Sequence, residues 1–275
     1  MQTSQLKSAL TLPVDMVSLA LQKRLPAAYG ALASAASIDL KVAFAPRDEW
    51  PAAQQELNRL MERDASAARG KTEGALNAGD RRALYHLVRA RRPANVLEIG
   101  THVGSSTIHF AAALRANAVE GAVGRLRTVD IIDVNGPDAP WARRGMAHSP
   151  RQMVEALGMG EQVTFQAADS NDFLLTCEDS YDFVFLDGSH AAKDVYNEVQ
   201  LVQRCLRPDA LILLHDFFPD GRPLWPDSRA LPGPWLAYSR LRREGAPVEV
   251  IPLGDLPWPT KLGSHRTSLA IMVAG

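Results

Sequence analysis

Two cysteines in a chain of 275 residues are too few for a disulfide framework. Cys177 and Cys205 fall in segments with helical patterning, and neither belongs to a CxxC pair, which predicts reduced core thiols in a cytoplasmic protein. Long apolar runs are also missing. Ala210 to Leu214 ends at His215 and Asp216, and no run approaches the ~18 residues a membrane helix needs, so no membrane partner is expected. Ala31 to Ser34 imitates a signal-cleavage site, but Pro13, Asp15, Lys23 and Arg24 interrupt any apolar core before it. An excess of charge of one sign is lacking too: 30 Lys+Arg stand against 31 Asp+Glu, a net charge of −1. Such a chain has no basic field to displace counterions from a phosphate backbone, which argues against nucleic acid as a partner. No internal repeat of solenoid period is visible.

What is present is the composition of an ordinary globular protein, 46% apolar and 22% charged, on a length that suits one large domain with a small appendage. Leu6 to Ala68 is rich in Ala, Leu and Gln without β-branched runs, predicting a helical N-terminal region over residues 1–70 that serves as a lid or in oligomerisation. Gly70 to Gly79 punctuates the chain, Asp80 reads as a helix N-cap, and Leu84, Leu87 and Val88 line one face of a helix ending before Pro93. From Asn95 onward seven short aliphatic runs alternate with helical stretches: Asn95 to Ile99, Leu126 to Asp130, Gln162 to Gln166, Tyr181 to Leu186, Ala210 to Leu214, Val248 to Pro252 and Ser268 to Val273. The expected fold class is α/β, a Rossmann-like, seven-stranded, mostly parallel sheet flanked by helices, occupying residues 71–275 behind the N-terminal helical extension. Ligands of such sheets bind beyond the carboxyl ends of the strands.

The chemistry concentrates there. Val96 to Thr107 (VLEIGTHVGSST) reads as strand, tight turn and helix start, with Gly100 and Gly104 where a cofactor would pass close to the backbone and free N–H groups at Ser105 to Thr107. A dinucleotide fingerprint would be GxGxxG; the single spaced glycines here argue against a nicotinamide cofactor. Acids then close successive strands: Asp130 after the second, placed for two ribose hydroxyls, Asp169 after the third, and Asp187 after the fourth in FLDGSH. All five tryptophans neighbour a proline, a pattern of buried loop anchors or of a pocket wall.

The combination EIGxxxG, an acid after the second strand, Asp after the third and FLDGSH after the fourth resembles class I S-adenosylmethionine-dependent methyltransferases. LDGSH followed by a helix and LILLHDF is similar to the metal-dependent O-methyltransferases of sugars and natural products. The resemblance, which spans roughly Thr72 to Gly275, implies that Glu98, Gly100 and Gly104 flank the methionine part of the cofactor. Thr101, Ser105 and Ser106 of the same turn join them, and Glu73 lies near the cofactor's carboxyl end. Asp130 holds the ribose, Ala168 and Asp169 lie by the adenine, and Asp187 lies over the reacting centre.

Methyl transfer to oxygen needs an acceptor hydroxyl made more acidic, which a divalent cation achieves. Asp187 and Asp216 supply hard oxygen donors suited to Mg²⁺; relatives have a second acid or Asp-Asn where this chain has His215-Asp216, so either His215 or His190 completes the site, and an imidazole ligand brings Mn²⁺ into play. His190 is the candidate general base, because an imidazole titrates near neutrality. The expected partner is a small-molecule hydroxyl acceptor, a glycoside or other secondary metabolite, with homo-oligomerisation through the N-terminal helices. The alternatives are a metal-independent O- or N-methyltransferase, an inactive nucleotide-binding or interaction module, and a Rossmann oxidoreductase.

Overall fold

The computed structural model describes residues 13–63, 76–226 and 230–275. Seven strands form one sheet: β1 (Asn95–Ile99), β2 (Arg125–Asp130), β3 (Val163–Ala167), β4 (Tyr181–Leu186), β5 (Leu206–Leu214), β6 (Val248–Pro252) and β7 (Ala270–Ala274). Their order is β3-β2-β1-β4-β5-β7-β6. β1 with β2, β2 with β3, and β4 with β5 run parallel, whereas β7 is antiparallel to both β5 and β6. All seven expected strands are present and the sheet is mostly parallel, as the alternation of aliphatic runs with helices required.

Two compact units divide the chain. One comprises Asp39–Asp169. Here β1 to β3 are accompanied by helices Trp50–Leu60, Ala78–Arg91, Ser105–Val119 and Pro150–Ala156. Val96, Leu97, Ile108, Phe110, Leu84 and Leu87 are buried, and at about 25 cal/mol per Å² of apolar surface their burial is the main stabilising term. Asn77, rather than Asp80, caps helix Ala78–Arg91: the Asn77 side chain accepts from the Asp80 N–H at 2.9 Å and donates to the Asp80 carboxylate. A short amide one turn earlier does the same work that the sequence suggested for the acid. Arg89 joins this unit's helices, with Nε on Glu49 at 2.9 Å and Nη2 on Glu120 at 2.5 Å.

The other unit joins the described residues up to Ile38 to Ser170–Gly275. It holds β4 to β7 and helices Ser170–Thr176, Ala192–Val202 and Gly233–Arg243. Of residues 1–70, expected as one helical region, the described ones, 13–63, are thus shared between the units, and they are not helical throughout. Leu32 and Ser34 form parallel bridges with Ala210 and Ala274, and Ala33 donates to the Ala210 carbonyl and accepts from Ala274. Cys177 lies just beyond helix Ser170–Thr176, which corrects the helical placement expected for it, whereas Cys205 ends the 3₁₀ helix Gln203–Cys205; both are free thiols. No helix among the described residues is long and apolar enough to cross a membrane.

Two histidines are buried in the first unit. Burial, then the neighbouring Arg82 and Arg47 guanidiniums, push His86 down to about 4, and burial, then Arg81, pushes His109 down to about 3. Both rings are neutral in the folded protein near pH 7. The unfolded imidazole protonates near pH 6.5, so below that pH the unfolded state binds protons that the folded state refuses, and stability falls with pH. At ~1.4 kcal/mol per pH unit and site, the pair costs roughly 5 kcal/mol by about pH 4.5. Urea denaturation of the wild type and His109→Asn checks this: about half of the histidine-linked acid loss should vanish in the variant, and equal pH dependence in the two proteins would refute it.

Candidate active site

The carboxyl ends of β1 and β2 build one cluster. After Ile99 the chain turns through Gly100 (φ 99°) and His102 (φ 50°) to Gly104 (φ 77°), where helix Ser105–Val119 starts. The left-handed conformation suits glycine at 104, and a Cβ there would meet Pro150 Cβ at 2.8 Å. No side chain among the described residues caps this helix, which leaves the N–H groups of Ser105 and Ser106 to other acceptors. Thr101 and Thr128 share a hydrogen bond of 2.5 Å beneath the turn. Glu98 is fully buried and accepts from the Thr107 hydroxyl at 2.6 Å, so it braces the turn from inside. Asp130 accepts from the His102 N–H at 2.8 Å and from the Ile132 N–H at 3.3 Å. The Asp130 carbonyl accepts from Ala168, beyond which Asp169 is exposed. Glu73 lies outside the described residues.

The ends of β4 and β5 build a second cluster. Leu186 pairs with Leu214, so the next residues, Asp187 and His215, emerge side by side, and the His215 N–H donates to the Leu186 carbonyl. Asp187, His190 and Asp216 each offer a ligand atom, all within 4.8 Å of one another. His190 Nε2 lies 3.6 Å from Asp216 Oδ2. His215 is outside this trio; its Nδ1 contacts Asp187 Oδ1 at 2.8 Å and lies 3.7 Å from Asp216 Oδ1. Asp216 has φ 49° and accepts from the Ser268 hydroxyl at 3.3 Å. The set expected from sequence, Asp187, His215 and Asp216, is therefore adjacent in space, but the third donor that converges with both acids is His190.

Two residues of this cluster carried no earlier signal. Ser268 fixes Asp216 from the segment just before β7. Gly233, in Pro-Gly-Pro, packs so tightly that a Cβ would lie 1.9 Å from the His190 carbonyl oxygen. Beside them Phe217, Trp235 and Tyr238 form an aromatic group with ring centroids 5.7 to 5.9 Å apart. Trp50, Trp225 and Trp258 are buried, which fits the role of loop anchor.

A family model described as a methyltransferase domain matches residues 97–217, from β1 to the residue after Asp216. Glu98 to Asp169 of the first cluster, and Asp187, His190, His215 and Asp216 of the second, fall inside the matched span. Among solved structures, the O-methyltransferase TomG from Streptomyces achromogenes, involved in tomaymycin synthesis and solved with SAM, is 20% identical with a TM-score of 0.52, covering 84% of this chain and 91% of its own. An O-methyltransferase from Bacillus cereus, solved with SAH, is 17% identical with a TM-score of 0.55, covering 86% and 95%. The chain shares with them a Rossmann-like fold. No curated protein matches it significantly.

Proposed function

We propose that the protein is an O-methyltransferase that moves the methyl group of S-adenosylmethionine to a hydroxyl of a small molecule, assisted by a divalent cation. The observation that carries this reading is the convergence of Asp187, His190 and Asp216 at the ends of neighbouring parallel strands inside a methyltransferase domain. Two carboxylates and an imidazole suit Mg²⁺, or Mn²⁺ with the nitrogen donor. When bound, such a cation makes an acceptor hydroxyl more acidic and stabilises the resulting oxyanion. The protein's own part is positional: His215 orients Asp187, Ser268 orients Asp216, and His190 either completes the cation's ligand set or, with no cation bound, takes the acceptor's proton.

The donor belongs to the other cluster. Glu98, Gly100, Thr101, Gly104, Ser105 and Ser106 surround its methionine part, Asp130 holds the ribose, and Ala168 with Asp169 flanks the adenine. Asp130 spends one lone pair of each oxygen on the turn, which leaves capacity for two ribose hydroxyls. A glycoside or other secondary metabolite is the acceptor class we favour, because the half-buried rings of Trp235 and Tyr238, packed edge-on against buried Phe217, are of the kind that pack against sugar and other ring faces. For the N-terminal region we favour self-association: Val14, Met16, Val17 and Leu21 are 55% to 76% exposed.

Calorimetry with S-adenosylhomocysteine tests the donor: Asp130→Ala should bind at least ~10-fold more weakly, the loss of a charge-assisted pair. Undiminished affinity, or none in the wild type, would remove S-adenosylmethionine. EDTA should abolish turnover and Mg²⁺ restore it; turnover that survives chelation favours the second reading, in which His190, paired with Asp216, acts as a metal-free base.

A further inference from the structure

A cavity of about 340 Å³ opens within the unit Asp39–Asp169, lined by Asn58, Met61, Arg63, Arg81, Val103, Ser105 and Met146. It therefore abuts the glycine turn and the uncapped start of helix Ser105–Val119. Arg63 follows helix Trp50–Leu60, where its backbone bridges Met146, and Arg81 stands on the first turn of helix Ala78–Arg91. Neither guanidinium has a carboxylate partner among the described residues. Arg81 donates Nη1–H to the thioether of Met61 at 2.9 Å, a weak acceptor, and its buried Nε has no partner. Burial and the proximity of Arg63 both lower the Arg81 pKa. Two cations lining one space, with no acid among the described residues that line it, are costly unless negative charge is supplied from elsewhere.

We propose that Arg63 and Arg81 form a receptor for a carboxylate-type anion on a small-molecule ligand in this cavity. The guanidinium fork matches a carboxylate in two parallel hydrogen bonds, and the free N–H groups at Ser105 favour the same charge. The volume is that of a small-ligand site. Such a carboxylate has two sources: the amino-acid end of the methyl donor, in which case the inference rests on the proposed function, or a separate anionic molecule.

Titration calorimetry on the full chain separates them, using the wild type, Arg63→Gln and Arg81→Gln with three probes: S-adenosylhomocysteine, its decarboxylated analogue and inorganic sulfate. If the donor's carboxylate binds here, each variant weakens S-adenosylhomocysteine at least ~10-fold while the decarboxylated analogue binds all three proteins equally. If a separate anion binds here, the variants lose sulfate affinity and keep that for S-adenosylhomocysteine. Equal binding of every probe by the three proteins would overturn the receptor. A wild type that ignores S-adenosylhomocysteine but binds sulfate through these arginines would retire the proposed donor and leave the receptor standing.

Discussion

Asp216→Asn is expected to lower the turnover number by ~10³-fold or more, a loss of several kcal/mol of transition-state stabilisation, while S-adenosylhomocysteine binds within about threefold of wild type. Asparagine is the informative replacement. Asp216 holds φ 49°, a left-handed conformation that asparagine tolerates and alanine resists. Asp216→Ala would mix backbone strain with loss of the ligand, whereas the amide keeps the bond from Ser268 and removes only the charge. Asp187→Asn should behave alike, with one addition: His215 Nδ1, now 2.8 Å from Asp187 Oδ1, loses its ionic partner. Initial rates at saturating donor with Mg²⁺ varied decide the matter. Either variant retaining activity within tenfold of wild type at unchanged Mg²⁺ demand would sink the role of these acids.

Gly233→Ala should be the most damaging single methyl group in the second unit. The added Cβ would lie 1.9 Å from the His190 carbonyl oxygen and 2.9 Å from the Ala192 nitrogen, both backbone atoms that cannot rotate away. Either helix Gly233–Arg243 retreats or the turn carrying His190 shifts. Overpacking of this kind costs about 2 to 3 kcal/mol, which lowers the melting temperature of a chain this size by roughly 5 to 10 °C. Activity should fall further than the stability loss accounts for, because His190 moves away from Asp216. Gly30→Ala is the control, since a Cβ there meets nothing within 4 Å. Calorimetric melting and rates measured well below the melting temperature test both parts; equal melting of the two variants would contradict the packing argument.

The sheet was legible because buried parallel strands must be nearly continuous aliphatic runs, and FVFL in β4 and LILL in β5 are such runs. β5 proved longer than expected. It begins at Leu206, ahead of Arg207-Pro208-Asp209, which reads as a turn, and Asp209 has φ 63°. Its pairing with β4 is irregular between Tyr181 and Phe183, so the strand absorbs a turn-like triplet at a bulge. The acids at the strand ends were legible for the same reason the strands were. The third member of the Asp187 cluster was not: choosing between His190 and His215 depends on the backbone angle at Asp216 and the packing of Gly233, and neither leaves a trace in spacing. Arg63 and Arg81 are eighteen positions apart, and only the docking of one helix end against another brings them to one cavity.

The bridges from Leu32 and Ser34 to Ala210 and Ala274 carry a topological consequence. The unit holding Asp187, His190 and Asp216 is assembled from two stretches of chain separated by more than a hundred residues, whereas the unit with the glycine turn is continuous in sequence. A chain emerging from its N-terminus holds every residue of the donor side while the acid trio still lacks β7 and Ser268. Closing so long a loop is slow compared with local helix and strand formation, so the order of synthesis makes the candidate metal cluster the last part of the enzyme to be completed.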